Sequence, residues 1–348
     1  MLGSLRLLLS VLVAISHSDI SQSPLWIGVI AVVVFFLISG YAITGLLTSR
    51  FQQPGTMRWF FVERFARLAP QYYFWLAVTA LVASTTSWIS MQRPFNVLAD
   101  TIAYLTVFPL GLQFYLHEVR MLLLPQATSL GIEAVLYVVA PFVVHSRMKS
   151  WIAFIICLGV FVLSSTDRIS DDLYTYFSAP GPLAFFLIGS WIYRRDWTSV
   201  NLGTLLLLAS LSPKLLSHFE IEIAIGLLIG VPAVVILAPR RASRLDRLLG
   251  DASYGVFLVH HTVFSIIKGV SGMPTFTPFT RVAAVALALL VGYVSFVILE
   301  RPTIPFRRRL GRSQGSSADG GGLPKALGAE GSRSTQADFA ASGSEGVP

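Results

Sequence analysis

Eleven apolar runs, near 3–17, 25–47, 66–84, 97–116, 129–145, 151–166, 182–193, 200–217, 223–238, 252–270 and 281–298, leave this chain little choice of fold. About 17 to 25 such residues let an α-helix cross the hydrocarbon core of a bilayer, where backbone amides must find partners within their own segment. Composition agrees: 54% of the 348 residues are hydrophobic and 13% are charged, far too apolar for a soluble chain of this length. The fold class expected is therefore all-α, a polytopic membrane helix bundle. The formal net charge of +8 could suggest nucleic acid, but the basic residues sit in short patches between the runs, as loops on the positive side of a membrane do. No nucleic-acid partner is expected. The single cysteine, Cys157, lies in an apolar run, which excludes an intramolecular disulfide and suits core packing. The first run has one arginine as its basic region and no small-residue cleavage site after it, so it reads as a mature span and not a signal peptide.

Eleven crossings do not give a consistent topology. The first clear basic loop, "SRFQQPGTMRWFFVERFAR", places the N-terminus on the cytoplasmic side. If 97–116 then crossed, the later loops "HSRMK", "YRRDW" and "PRRASRLDR" would lie outside and the acidic "DRISDD" and "HFEIE" inside. Reading 97–128 as a non-crossing outer segment, broken at Phe108-Pro109 and again at Pro125, restores the pattern in every later loop. The expectation is about ten transmembrane helices with both termini cytoplasmic, in a bacterial inner or plasma membrane. The membrane domain would cover 1–310, followed by a disordered Gly/Ser-rich cytoplasmic tail over 311–348.

Polar residues inside the runs mark where chemistry can occur, because a buried charge in a membrane is costly. Arg6 and His17 are eleven residues apart, about 1100° around a helix, or roughly 20° past three turns, and about 16 Å along it. They share one face, Arg6 near the cytoplasmic end and His17 deep on the outer side. Each alone also fits a plainer role, Arg6 as an anchor and His17 as an interfacial end. Glu133 enters from the outer side at comparable depth, which makes it the expected partner of His17. A carboxylate-paired imidazole is a general base. Tyr137, one turn later, shares the Glu133 face.

Arg64 and Arg67 stand at i, i+3 where the third run begins, spaced to grip a phosphate or pyrophosphate, although a positive-inside cluster looks the same. Pro70 is expected to break or kink that helix beside them. Ser39, Gly40 and Tyr41 fall in "FFLISGYAI"; Ser39 lacks the preceding glycine of a nucleophile motif and reads with Tyr41 as cavity lining. His260 is expected to face the cavity, with His261 pointing about 100° away so that only one of them can. The histidines fall on several sides of the membrane without HExxH or a Cys/His cluster, so no metal site is expected. Glu300-Arg301-Pro302 reads as a helix terminator with a local charge pair.

Taken in order, Arg6 to His17, "FFLISGYAI" at 35–43, "RFARLAPQYY" at 64–73, "SLGIEAVLYVVAP" at 129–141, and "SYGVFLVHHTV" at 253–263 with "ERP" at 300–302 resemble the acyltransferase 3 family of integral membrane acyltransferases. The resemblance spans roughly residues 4 to 302. It implies transfer of an acyl group, usually acetyl, from cytoplasmic acyl-CoA to a hydroxyl of an extracytoplasmic carbohydrate or glycoconjugate. Acetyl-CoA would be a substrate donor, with no tightly bound cofactor and with membrane lipid around the bundle. It further implies that His17 is the essential histidine and Arg6 its paired arginine, that Arg64 and Arg67 form the donor-binding RxxR, and that Glu133 is the acidic residue of its motif. The sequence departs in having Ala127-Thr128 where the family usually has tryptophan before "SL". The rival class is a transporter or flippase for a polar lipid or sugar conjugate, which should show inverted repeats and paired broken helices.

Overall fold

The computed structural model describes residues 1–18, 25–52, 55–89, 97–112, 123–166, 168–169, 175–212 and 219–310. The Gly/Ser-rich tail expected from 311 lies outside them. Each apolar run seeds one helix: α1 (Leu2–Ser18), α2 (Ile27–Ser49), α3 (Met57–Thr85), α4 (Val97–Thr106), α5 (Ala127–Val143), α6 (Arg147–Ser165), α7 (Pro180–Tyr193), α8 (Trp197–Leu211), α9 (Glu220–Leu237), α10 (Arg244–Ser271) and α11 (Pro278–Ser295). A π-helical turn (Phe296–Glu300), a 3-10 turn (Arg301–Thr303) and a short α12 (Ile304–Leu310) complete the chain. No strand occurs among the described residues. Four of the helices, α2, α6, α9 and α11 with its continuation to Leu310, are long and apolar enough to cross a membrane.

A parallel pair forms the spine. Helices α1 and α10 pack along their length, and three polar rungs join them at one constant sequence separation of 243. At the first, Asp246 accepts from the Gly3 amide at 3.3 Å, and it also takes the Ser4 amide at 2.8 Å, satisfying helix-start donors that have no partner within α1. Asp246 is itself in the first turn of α10, where the Ser243 hydroxyl caps its amide at 3.0 Å. At the second, Ser10 Oγ donates to the Ser253 carbonyl at 2.8 Å. His17 and His260 make the third, with ring nitrogens 3.1 Å apart. The rungs recur every seven residues, the period at which two side-by-side helices keep one seam in contact. Gly3 against Gly250 lets the two backbones meet at the lower end of the seam.

The larger apolar core lies between α2 and α7, where Leu37, Phe185, Phe186 and Trp191 are fully enclosed. Gly40 sits against the Phe186 carbonyl, and Gly189 against that of Leu37, so neither position has room for a side chain. A second core joins α3, α10 and α11 around Tyr72, Leu258 and Phe264. Helix α3 is continuous through Pro70, so of the break or kink expected there the break does not occur; the adjoining turns carry the helix past one missing amide.

The segment expected not to cross is a broken helix. At 10 residues α4 is about 15 Å long, half the hydrocarbon thickness. The chain turns at Val107, where φ is 64°, and a 3-10 turn at Phe108–Gly111 ends in backbone contact with Gly131 of α5. The Tyr72 hydroxyl holds the Tyr104 carbonyl at 2.8 Å, so the α4 C-terminus reaches the middle of α3.

Substituting Gly40→Ala should cost about 1–3 kcal/mol because its methyl group would meet backbone that cannot move aside. Gly159→Ala, which meets nothing within 4 Å, should be neutral or stabilising. Thermal unfolding of the two variants in detergent, beside the parent, checks the difference.

Candidate active site

Between α1, α2, α3, α5 and α10 lies an inner cavity of about 90 Å³. Its apolar wall includes Phe35, Phe36 and Phe257, and its polar wall Arg6, Ser39, Arg64, Arg67, Glu133 and Tyr137. At the end of the bundle where α1 begins, a second and larger cavity of about 410 Å³ opens, lined by the starts of α1 and α10, the ends of α2 and α9, and α12. Arg6 and Arg67 line both cavities and form the neck between them. The outer one also carries Arg50, Arg240, Arg247, Arg307 and Arg308 against Glu63, Asp246 and Asp251.

The arginines of the neck divide into bound and unbound. Arg64 is held by its neighbour Glu63, with Nε 2.5 Å from Oε2, and its guanidinium lies 5.8 Å from the Tyr137 ring. Glu63 in turn accepts from Arg307 at 3.2 Å, and Arg307 donates to Glu300 at 3.1 Å. Glu300 then accepts from Gln71 at 2.6 Å, and the network closes through Ser295 to Trp75. Glu300 is fully buried, so the expected local pair with Arg301 is replaced by this long-range set, while Arg301 is exposed. Arg6 and Arg67 make no hydrogen bond or ion pair among the described residues, and Arg6 Nε is buried without a partner. Arg6 and Arg67 are half-buried and face the cavities without a hydrogen-bonded anion, with Glu133 and Glu300 near enough to act on their charge; guanidinium groups left open in this way suit an anion.

Glu133 is bound by Tyr137 and Ser39, both donating to its Oε1, the serine at 3.4 Å. This corrects the expected pairing of Glu133 with His17: the glutamate belongs with the arginines of the inner cavity, while the histidine belongs to the far end of the α1 seam. Depth alone suggested the pair, and depth does not fix azimuth. Tyr41 is also displaced from its expected place: it lines neither cavity, and its ring packs edge-on to Tyr193 at 5.2 Å. His260 lines neither cavity but is fully buried beside His17. Phe257 links the two regions, lining the inner cavity and lying 6.1 Å from the His260 ring.

The histidines are not dispersed as expected. His17, His260 and His261 offer ligand atoms within 4.8 Å of one another, and the His261 ring lies 4.5 Å from that of His17. Both neighbours of the His-His pair therefore reach His17, because His17 sits over the groove between their directions. His117 and His218 lie outside the described residues. No carboxylate hydrogen-bonds the cluster among the described residues, yet three imidazoles with a water in the fourth position are one of the sets that hold a catalytic zinc ion, so the grouping corrects the expectation that the histidines are too scattered to form one. Sequence reasoning missed Glu63, Glu300 and Arg307 as a unit. The signal was present as a carboxylate directly before Arg64 and another at the end of the last apolar run.

Comparison with known proteins bears on this arrangement. A family model described as an acyltransferase domain matches residues 2–300. The Exopolysaccharide production protein ExoZ of Rhizobium meliloti is 25% identical over 293 residues, 80% of this chain and 90% of that protein. An uncharacterised protein of Aquifex aeolicus is 28% identical over 162 residues, 42% of this chain and 73% of the relative. Another, from Haemophilus influenzae, is 31% identical over 153 residues, 40% of this chain and 61% of the relative. No solved structure gives a significant match.

Removing the charge of Glu63 leaves Arg64 and Arg307 buried with one anion fewer. Glu63→Gln should destabilise the bundle by about 3–5 kcal/mol, the usual result of removing one partner of a buried ion pair. A lowered unfolding midpoint in detergent, with no such change for Arg301→Gln on the exposed side, is the expected observation.

Proposed function

The chain belongs to the acyltransferase 3 family of membrane acyltransferases, and from that premise we propose that it moves a short acyl group, acetyl by preference, from cytoplasmic acyl-CoA to a hydroxyl of an extracytoplasmic carbohydrate. The observation that carries the reading is the neck made by Arg6 and Arg67, two half-buried cations without a hydrogen-bonded anion between a polar outer cavity and a narrow inner one. Seven arginines, Arg6, Arg50, Arg67, Arg240, Arg247, Arg307 and Arg308, line the outer cavity, a charge suited to the phosphates of a CoA nucleotide. The inner cavity, with its aromatic wall, suits the uncharged pantetheine arm. Its line leads along the α1 face from Arg6 toward His17, about 16 Å further on.

The roles follow from this placement. Arg6 and Arg67 hold the donor's anionic end, and Arg64, already neutralised by Glu63, supports them and positions Tyr137. Glu133, with Tyr137 and Ser39, balances the positive neck and offers polar contacts to the arm. His17 is the general base. Its unprotonated ring nitrogen takes the proton of the acceptor hydroxyl as the hydroxyl oxygen attacks the thioester carbonyl. The carbonyl π electrons move onto oxygen and then return, the carbon–sulfur bond breaks, and the leaving thiolate recovers the proton from the imidazolium. The products are the ester and free CoA, with His17 neutral again.

The membrane placement proposed is ten crossings with both termini cytoplasmic in a bacterial inner membrane. Supporting it, the basic loops at the ends of α2 and α9 and the α1 start meet at one end of the bundle, and α4 is too short to cross. The acceptor class rests on the exopolysaccharide production for which the Rhizobium meliloti relative is named.

The test is CoA release from acetyl-CoA by the purified protein with a panel of envelope oligosaccharides, with binding followed by calorimetry. The parent should release CoA only with an acceptor. His17→Ala should bind acetyl-CoA normally yet lose about 10²–10⁴-fold in turnover. Arg6→Gln with Arg67→Gln should raise the acetyl-CoA dissociation constant at least about tenfold, since hydrogen bonds to charged groups contribute about 1.5–3 kcal/mol each, whereas Arg64→Gln should act chiefly through stability. Absence of saturable acetyl-CoA binding by the parent would remove the donor assignment and favour a transporter.

A further inference from the structure

The α1–α10 seam determines what His17 can pair with. Gly3, Ser10 and His17 on α1 meet Asp246, Ser253 and His260 on α10, each step seven residues and each pair 243 apart. Two rungs anchored by Asp246 and by the Ser10 hydroxyl fix the register, so the third places His17 opposite His260 and leaves His261 to one side. His17 Nδ1 and His260 Nε2 are 3.1 Å apart. The ring centroids are 5.2 Å apart with planes within 20°. A centroid distance longer than the nitrogen distance by about two ring radii means the rings meet edge to edge and nearly coplanar, the geometry in which an N–H points along a lone pair.

The reading of His17 as the base decides the direction of that bond. A neutral imidazole that takes the acceptor proton on Nε2 carries its own proton on Nδ1, and Nδ1 is the atom that faces His260 Nε2. With its Nε2 accepting, the fully buried His260 carries its proton on Nδ1, which has no hydrogen-bond partner among the described residues.

We propose that His260 is the positioning residue of this site, its Nε2 accepting the Nδ1 proton of His17 so that His17 Nε2 stays unprotonated and aimed at the acceptor. This rests on the reading of His17 as the base and supplies the orienting partner that Glu133, bound elsewhere, does not. A neutral histidine in that place fixes the tautomer, and its lone pair stabilises the imidazolium that forms when His17 takes the acceptor proton. It does so without a charge at the depth of the outer leaflet, where a carboxylate would be costly before reaction. His261, 4.5 Å from His17 by ring centroids, packs against the pair without a hydrogen bond to it.

The test reads the tautomer directly, before any acceptor is known. Nitrogen-15 histidine spectra of the full-length protein in lipid, with the His17 signals assigned by their loss in His17→Gln, should show a protonated Nδ1 and a bare Nε2. His260→Gln, whose carboxamide oxygen reaches the place of Nε2, should keep that pattern. His260→Leu should convert it to a mixture. In acetyl-CoA turnover, His260→Leu should lower kcat by about 10²–10³-fold at unchanged KM for acetyl-CoA, with His260→Gln recovering at least a tenth of the parental rate. A His17 protonated on Nε2 in the parent, or a His260→Leu spectrum identical to the parent's, would overturn the proposal whether or not transfer activity is found. If His260→Leu does not fold, the parental spectrum and the His260→Gln comparison decide. A protein with the expected tautomer but no acetyl-CoA binding would overturn the donor reading and leave the pairing standing.

Discussion

Two buried carboxylates, Glu63 and Glu300, decide the electrostatics of the whole bundle. Between them they engage Arg64 and Arg307, and through Gln71 and Ser295 they tie α3 to the turn that follows α11. Their consequence lies in what they leave over. Arg67, three residues from Arg64 on the same helix, faces the cavity without a bonded anion, and Arg6 from α1 joins it. In a medium that resists charge, the arginines bonded to carboxylates hold the fold together, and those without a bonded anion are the ones proposed to bind the donor. On that reading one RxxR motif has two physical roles, assigned by which arginine a neighbouring glutamate bonds.

Helix α1 carries the other half of the arrangement. Because it runs parallel to α10 with polar contacts every seven residues, one seam locks Gly3, Ser10 and His17 to α10. Arg6 lies on the same side of the helix as His17, about 20° round from it, and reaches the cavities beside that seam. The same helix therefore spans from the proposed donor's charged end to the histidine proposed to act on the acceptor. Pairing His17 with another histidine instead of a glutamate keeps the far end free of a carboxylate while the near end carries the arginines. The bundle's polarity is built along this single element.

Much of this was legible in the sequence. Eleven apolar runs correspond to eleven helices, eight of them within a few residues of the expected limits, while Met57–Thr85 and Arg244–Ser271 begin well before their runs and Val97–Thr106 ends well short of its own. Phe108-Pro109 marked the broken segment, because hydropathy and proline act locally. The shared face of Glu133 and Tyr137 followed from helix period and stands in their hydrogen bond. The serial spacing of Ser10 and His17, and of Ser253 and His260, was also present in the sequence as matching steps of seven, a signal that only a comparison of the first and tenth runs brings out.

What the chain alone determined is where each helix lies, how it is broken and which of its residues share a face, since these depend on backbone geometry and on neighbours within a few turns. What only the tertiary structure decided is pairing: Glu133 with Tyr137 and Ser39 and not His17, His17 with His260, and Glu63 with Arg64 and with Arg307 from 244 residues away. The reason is rotational. A membrane fixes the depth of a side chain through hydrophobicity, but the angle at which one helix faces another is set by close packing at Gly40, Gly189 and the α1–α10 seam, and that angle determines which of two residues at equal depth will touch.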